Sequence, residues 1–108
     1  MDYKIKPSPK VLKYLKKLKY KPLKRKFLDV IYDDIPNQPT NLRNRAVEHL
    51  SKLIWIRKFR ATGSAYRIAY SISSDQILPI ILAGPHENFY RNLFTYLKTS
   101  AWLSQFES

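Results

Sequence analysis

Residues 53–85 read LIWIRKFRATGSAYRIAYSISSDQILPIILAGP, and this stretch decides the fold. Ile54-Trp55-Ile56 opens a run of β-branched and aromatic residues, which the turn-forming Ala61-Thr62-Gly63-Ser64 closes. Ala65 to Ile72 resumes the β pattern, Ser73-Ser74-Asp75-Gln76 turns the chain again, and Ile77 to Ala83 forms a third run ended by Gly84-Pro85. Three such runs joined by two tight turns predict an antiparallel meander, because short connections leave a strand no route except back along its neighbour. Ile77 to Leu82 is almost wholly apolar and suits an interior strand. Side chains alternate along a strand, so Tyr66, Ile68 and Tyr70 share one face while Arg67 and Ala69 share the other. Trp55 is read as a core anchor.

Upstream, Tyr3-Lys4-Ile5-Lys6 alternates apolar and polar residues as a short strand does, with Pro7 closing it. Ser8 is placed to cap a helix whose first residue is Pro9, and Val11, Leu12, Leu15 and Leu18 recur at helical spacing. Lys10, Lys13, Lys16 and Lys17 occupy its exposed faces. Pro22 opens a second helix with Leu23, Phe27, Val30 and Ile31 as its apolar stripe, and the helix is expected to stop near Asp34, ahead of Pro36 and Pro39. Ile35 to Asn44 reads as loop running into a helical turn at residues 45–50. Asn88 to Leu97 closes the chain as a helix resting on Phe89, Leu93, Phe94 and Leu97. The expected class is α+β, with order βααβββα. A four-stranded antiparallel sheet would pack against the N-terminal helical hairpin, with a short C-terminal helix, its helices on one side and its other side partly open.

The chain has 108 residues, the size of one domain covering 1–108, and its 44% apolar content supports a small core. It has no cysteine, which removes disulfides and thiolate chemistry. Two histidines and scattered acids make a poor metal site, and no cofactor is expected. No apolar run reaches the length of a membrane span and no secretory signal pattern is present, so the expected location is the cytoplasm. Twenty Lys and Arg against eight Asp and Glu leave a formal charge of +12. Residues 1–26 alone hold eleven of the basic residues and one acid. Lys10, Lys13, Lys16, Lys17, Lys21, Lys24 and Arg25 thus form a basic footprint for a polyanion such as RNA. A merely solubilising lysine face is the competing reading.

No phosphate-binding glycine loop, nucleophile elbow or paired-carboxylate pattern occurs. What converges at one end of the meander is cationic and aromatic: Arg57, Lys58 and Arg60, then Arg67, then His86 and Tyr90. Such a set suits RNA cleavage without metal, in which a ribose 2′-hydroxyl attacks the adjacent phosphate. Arg67 would clamp phosphate oxygens, and Tyr90 would orient the phosphate or stack a base. His86 has the side-chain type that transfers protons near neutrality. His86 as a turn residue, Arg67 as a surface ion-pair member and Tyr90 as packing are the alternatives.

Leu53-Ile54-Trp55-Ile56-Arg57, Gly63, Tyr66-Arg67-Ile68-Ala69-Tyr70 and Ile80-Ile81-Leu82-Ala83-Gly84-Pro85-His86-Glu87-Asn88-Phe89-Tyr90 together resemble the RelE/ParE superfamily of bacterial type II toxins. Ser8-Pro9-Lys10 and the lysine-rich helices extend the likeness over nearly the whole chain. RelE-like members are ribosome-dependent messenger RNA endonucleases held by a cognate antitoxin, whereas ParE-like members poison DNA gyrase. The resemblance implies that Arg67 matches the catalytic arginine and that His86 is similar to a histidine of the YafQ branch. It also supports an aromatic residue at Tyr90 among the catalytic candidates, its exact role open, and more loosely likens His49 to another YafQ-branch histidine, a further catalytic candidate. RelE places two catalytic lysines before the Tyr-Arg pair, where this chain has Arg57, Lys58 and Arg60 followed by two extra residues, so the base remains open among them. The expected partners are an acidic antitoxin in a hetero-oligomer, the ribosome and messenger RNA. The alternatives are a gyrase inhibitor without nuclease activity and a non-catalytic RNA-binding domain.

Overall fold

The computed structural model describes residues 3–40, 45–49, 52–73 and 76–99, with the side chains of 45–49, 52 and 99 not included. In chain order the elements are β1 (Lys4–Pro7), α1 (Pro9–Lys17), α2 (Lys21–Asp29), a π-helical turn (Val30–Asp34), α3 (Ile35–Asn37), β2 (Arg45–His49), β3 (Lys52–Ala61), β4 (Ser64–Tyr70), β5 (Ile77–Pro85) and α4 (Phe89–Thr99). The fold is α+β, as expected, and the meander β3–β4–β5 is antiparallel throughout. Thr62 and Gly63 both take positive φ, 52° and 81°, giving the first turn the twist that a tight hairpin needs. Ser74 and Asp75 of the second turn lie outside the described residues.

Two features of the sheet differ from the sequence reading. It has five strands in the order β1-β5-β4-β3-β2, and β1 runs parallel to β5, so the sheet is mixed. The direction of β1 is set by the long return through the helices, and no turn chemistry encodes it. The segment expected to make a helical turn at 45–50 instead forms β2, the edge strand antiparallel to β3. Arg45-Ala46-Val47-Glu48-His49 has no clear period, and its conformation follows from the neighbouring β3 rather than from local preference.

Ser8 behaves as read. Its side-chain oxygen accepts the Val11 N–H at 3.1 Å as an N-cap, and Pro9 follows at the first helical position. The second helical segment runs farther than expected: α2, the π turn and α3 follow one another through Pro36 to Asn37. The Ile35 N–H reaches back five residues to the Val30 carbonyl, and Pro36 has no N–H to place in the ladder that follows. The widened turn lets the helix continue where proline ordinarily ends it.

The helices occupy both faces of the sheet, not one. On the first face, Val11, Leu15, Leu23, Phe27, Ile31 and Ile35 pack against Ile68, Tyr70, Leu78 and Ile80, with Trp55, Phe59 and Tyr66 partly buried beside them. Tyr70 also donates its hydroxyl to the Pro39 carbonyl at 2.6 Å, fastening the segment after α3. On the second face, Phe89, Leu93 and Leu97 of α4 cover Ile54, Ile56, Ala69, Ile81 and Leu82. The expected split of Tyr66, Ile68 and Tyr70 from Ala69 is therefore observed.

A bulge in β5 links these layers. Ala69 pairs with Leu82 and Tyr70 with Ile80, leaving Ile81 as an extra residue. Ile81 and Leu82 consequently both join the α4 layer, while Ile80 and Ala83 join the hairpin layer. The hydroxyl of Ser8 donates to the Ile81 carbonyl at 2.9 Å, and its N–H donates to the Ile80 carbonyl at 2.8 Å. The residue that starts α1 thereby also holds the bulge.

Candidate active site

Alternation along β3 and β4 sorts the predicted site residues by face. Lys58 lies directly across from Arg67, and Arg60 lies two residues farther along the same face, across from Ala65. Arg57 points the other way, to the hairpin side, where its guanidinium meets the Asp34 carboxylate at 3.4 Å. The structure thus gathers Lys58, Arg60 and Arg67 and leaves Arg57 out. The backbone of His49 pairs with Lys52 at the β2–β3 end, and its side chain lies outside those described.

Like charges directly opposite one another on a sheet cost stability, and Lys58 and Arg67 form such a pair. Among the described residues none of Lys58, Arg60 and Arg67 pairs with a carboxylate. A basic patch with no internal compensation has an anion as its natural complement.

Arg67 is the most constrained of the three. Its Nη1 donates to the His86 carbonyl at 3.2 Å, and its guanidinium carbon lies 5.4 Å from the centre of the Tyr90 ring. Its Nε is buried and has no hydrogen-bond partner among the described residues. The carbonyl and the ring hold the guanidinium on one side, and its Nη2 makes no hydrogen bond among the described residues.

His86 and Tyr90 owe their positions to the end of β5. The His86 N–H donates to the Ala65 carbonyl at 3.0 Å, extending the β4–β5 pairing past Pro85. Asn88 then turns the chain with a φ of 59°, a left-handed conformation that asparagine tolerates. The α4 helix begins at Phe89, which places Tyr90 in its first turn beneath Arg67. The His86 side chain is exposed. Phe89 is buried and meets Tyr90 edge to face at 5.9 Å, fixing the ring from behind.

A model of the ParE-like toxin of type II bacterial toxin-antitoxin systems matches residues 5–94. The chain belongs to this toxin family. In three dimensions the toxin is similar to a double arginine-to-alanine mutant of the Escherichia coli toxin RelE in the free state, with a TM-score of 0.67 at 15% identity over 89% of this chain and 94% of that one. It is also similar to a chain of the RelBE2 toxin-antitoxin complex of Mycobacterium tuberculosis, with a TM-score of 0.61 at 15% identity, covering 80% and 93%. A chain of the archaeal RelE–RelB complex of Pyrococcus horikoshii OT3 aligns with a TM-score of 0.52 at 24% identity, covering 81% and 98%. At these identities the likeness is one of fold. No curated protein matches the sequence.

The basic footprint of the toxin lies on the helical hairpin. Lys10, Lys13, Lys16, Lys17, Lys21 and Arg25 are exposed, and Lys24 is half-buried. Among the described residues no helix is long and apolar enough to cross a membrane, and no three His, Cys, Asp or Glu side chains gather as metal ligands. Two residues of the site region escaped the sequence reading. In the sequence Gly84 reads only as a strand terminator, yet it is strand-paired with Arg67. Asn92, one turn along α4 from Asn88, lines a cleft beside it. A glycine inside a β-type run was the available signal for the first, and Asn92 carried none.

Proposed function

We propose that this toxin is an endoribonuclease that cuts messenger RNA on the ribosome, without a metal, by attack of a ribose 2′-hydroxyl on the adjacent phosphate. The observation that carries the proposal is Arg67, steadied by the His86 carbonyl and the Tyr90 ring and set directly across from Lys58. In the reaction the 2′-oxygen bonds to phosphorus as the bond from phosphorus to the 5′-oxygen breaks. The products are a 2′,3′-cyclic phosphate and a free 5′-hydroxyl. Arg67 and Lys58 stabilise the charge that grows on the non-bridging oxygens, and Arg60 extends the cationic track along the strand. His86 passes a proton, either taking it from the 2′-hydroxyl or giving it to the departing 5′-oxygen, and the other transfer falls to a neighbouring base or water. Tyr90 positions the phosphate through the guanidinium it underlies. The likeness of His86 to the YafQ-branch histidine supports its part in this scheme.

The lysine-rich hairpin is the surface that engages ribosomal RNA, which sets the place of action in the cytoplasm. A cognate acidic antitoxin is the proposed partner. Two of the similar structures are toxin-antitoxin complexes, and a +12 chain with Leu12, Leu28 and Tyr32 exposed on the hairpin offers both charge and apolar contact.

The test is translation in vitro of a defined messenger, with cleavage mapped by primer extension for wild type and Arg67→Ala, beside naked RNA. Codon-phased cuts that require ribosomes and fall by about 100-fold or more in Arg67→Ala are expected, the loss typical of removing one transition-state donor. Intact message with unimpaired translation would refute the proposal and direct attention to DNA supercoiling by gyrase, the activity of ParE-like members.

A further inference from the structure

Past its last β1 partner, where Pro7 meets Ile80, β5 continues to Pro85 with β4 on one side and, among the described residues, no strand on the other. Here α1 and α4 flank it and leave a cleft of about 300 Å³ lined by Lys10, Tyr14, Gly84, Pro85, Phe89 and Asn92, among others. Three observations suggest that the cleft is shaped for a ligand. Gly84 is buried, yet a Cβ built on it meets nothing within 4 Å, and its φ lies outside the left-handed region that favours glycine. Neither backbone nor packing demands glycine at this position, and glycine weakens a strand. It serves where something must approach the backbone closely. The Lys10 ammonium lies 5.3 Å from the centre of the Tyr96 ring on α4, which anchors a cation at the rim. Finally, Gly84 is the strand partner of Arg67, and Pro85 immediately precedes His86, so the cleft opens beside the phosphate-binding groups.

We infer that this cleft is a nucleobase slot, which receives the base of a nucleotide flanking the phosphate held by Arg67. The inference rests on the proposed ribonuclease function and deepens it, by assigning where sequence preference is read. The chemistry fits a planar heterocycle. The exposed Pro85 side chain supplies apolar surface, with the buried Phe89 ring behind it, and the absence of a side chain at Gly84 leaves room for a ring. The Asn92 amide carries both donor and acceptor for a base edge, and Lys10 is a counter-charge for the next phosphate. Every base has an apolar face, so preference among them arises from Asn92 and the Tyr14 hydroxyl.

Two measurements on the full-length toxin test this, one of binding and one of cleavage. In the first, nucleoside 5′-monophosphates are titrated into labelled protein at millimolar concentration, and backbone and Asn92 side-chain amide resonances are followed by NMR. The Gly84 and Asn92 resonances are expected to move saturably in wild type. In Gly84→Val, whose added side chain enters open space on an ordinary strand backbone, apparent affinity should fall at least tenfold while the fold is retained. Shifts confined to the lysines of α1 and α2, or equal titration of Gly84→Val and wild type, would overturn the slot. In the second measurement, cleavage sites across a messenger library are mapped for wild type and Asn92→Ala. A changed preference at one position beside the cut supports the slot, and an unchanged preference overturns it. Absence of cleavage by wild type would instead refute the ribonuclease reading, whereas the titration independently reports whether the cleft binds a base.

Discussion

Replacing Ser8 tests whether one hydroxyl ties the helical hairpin to the bulged strand. Ser8 is 3% exposed, and its oxygen both accepts the Val11 N–H and donates to the Ile81 carbonyl. Ser8→Ala loses the cap, worth about 1 kcal/mol. It also leaves the carbonyl of the bulged residue without its hydroxyl donor, a cost of about 1–3 kcal/mol in a buried setting. The total is about 2–4 kcal/mol, a large share of the roughly 5–15 kcal/mol that holds a domain folded. Ser8→Thr keeps both bonds and should lose little. Ser8→Asp separates them: a carboxylate caps a helix as well as serine does, yet when ionised it has no hydrogen to give the Ile81 carbonyl and stands unpaired in a buried site. The expected order of stability is wild type, Thr, Ala, Asp. Urea unfolding followed by tryptophan fluorescence reads it, and a loss of 2 kcal/mol lowers the midpoint by about 1–2 M for a urea m-value of roughly 1–2 kcal/mol/M. An Asp variant as stable as wild type would show that only the cap matters, and an Ala variant within 0.5 kcal/mol would refute the reasoning altogether.

Arg57→Ala and Lys58→Ala are adjacent substitutions with opposite expected outcomes. Because Arg57 faces the hairpin and pairs with the half-exposed Asp34, its loss should leave the cleavage rate within about threefold and cost under about 1 kcal/mol. Lys58→Ala should slow single-turnover cleavage by about tenfold or more while leaving thermal stability equal or slightly raised, since a repulsive cross-strand pair is relieved. Tyr14→Phe should alter the alkaline limb of stability. Burial, with Tyr66 adding to it, raises the Tyr14 phenol above its ordinary value of 10.0. The neutral phenol's contribution is therefore complete below pH 10.0 and is lost as pH climbs through the higher folded value. The wild type should lose more stability than Tyr14→Phe above that pH in parallel denaturation series, and identical pH profiles would contradict the assignment.

The legible parts of the fold were those encoded within a few residues. Ala61-Thr62-Gly63-Ser64 specifies its hairpin by turn chemistry, Ser8-Pro9 specifies a helix start, and the alternation of Tyr66 to Tyr70 specifies two faces. The parallel setting of β1 and the strand at Arg45–His49 depend on partners distant in sequence or on a neighbouring edge, and no local pattern states them. Passage of the helix through Pro36 required a π turn, which has no composition of its own. At the candidate site, residue type and placement in the sequence suffice to group Arg67, His86 and Tyr90, which the structure brings together. Closeness in sequence groups Arg57 with Lys58 and Arg60, yet the parity that separates Arg67 from Tyr66 also separates Arg57 from Lys58. Gly84 carries no signal of its own in the sequence, because a strand-ending glycine and one that leaves room for a ligand look alike until the strand is seen to run on through it.

The central position of β5 also orders events during synthesis. Strand β5 is sandwiched between β1 and β4, contributes to both hydrophobic layers, and begins only at Ile77. A nascent chain that has reached Tyr70 contains the lysine-bearing helices and the β3–β4 hairpin. It still lacks the strand against which β1 must align, and Arg67 has neither the His86 carbonyl nor the Tyr90 ring to hold it. Pairing of Lys4 with Ile77 closes the long loop between them, a step that comes late because its entropy is lost before its contacts repay it. The setting of Arg67 is thus acquired only once β5 and the start of α4 have been made, and a product that ends before β5 is a basic fragment without it.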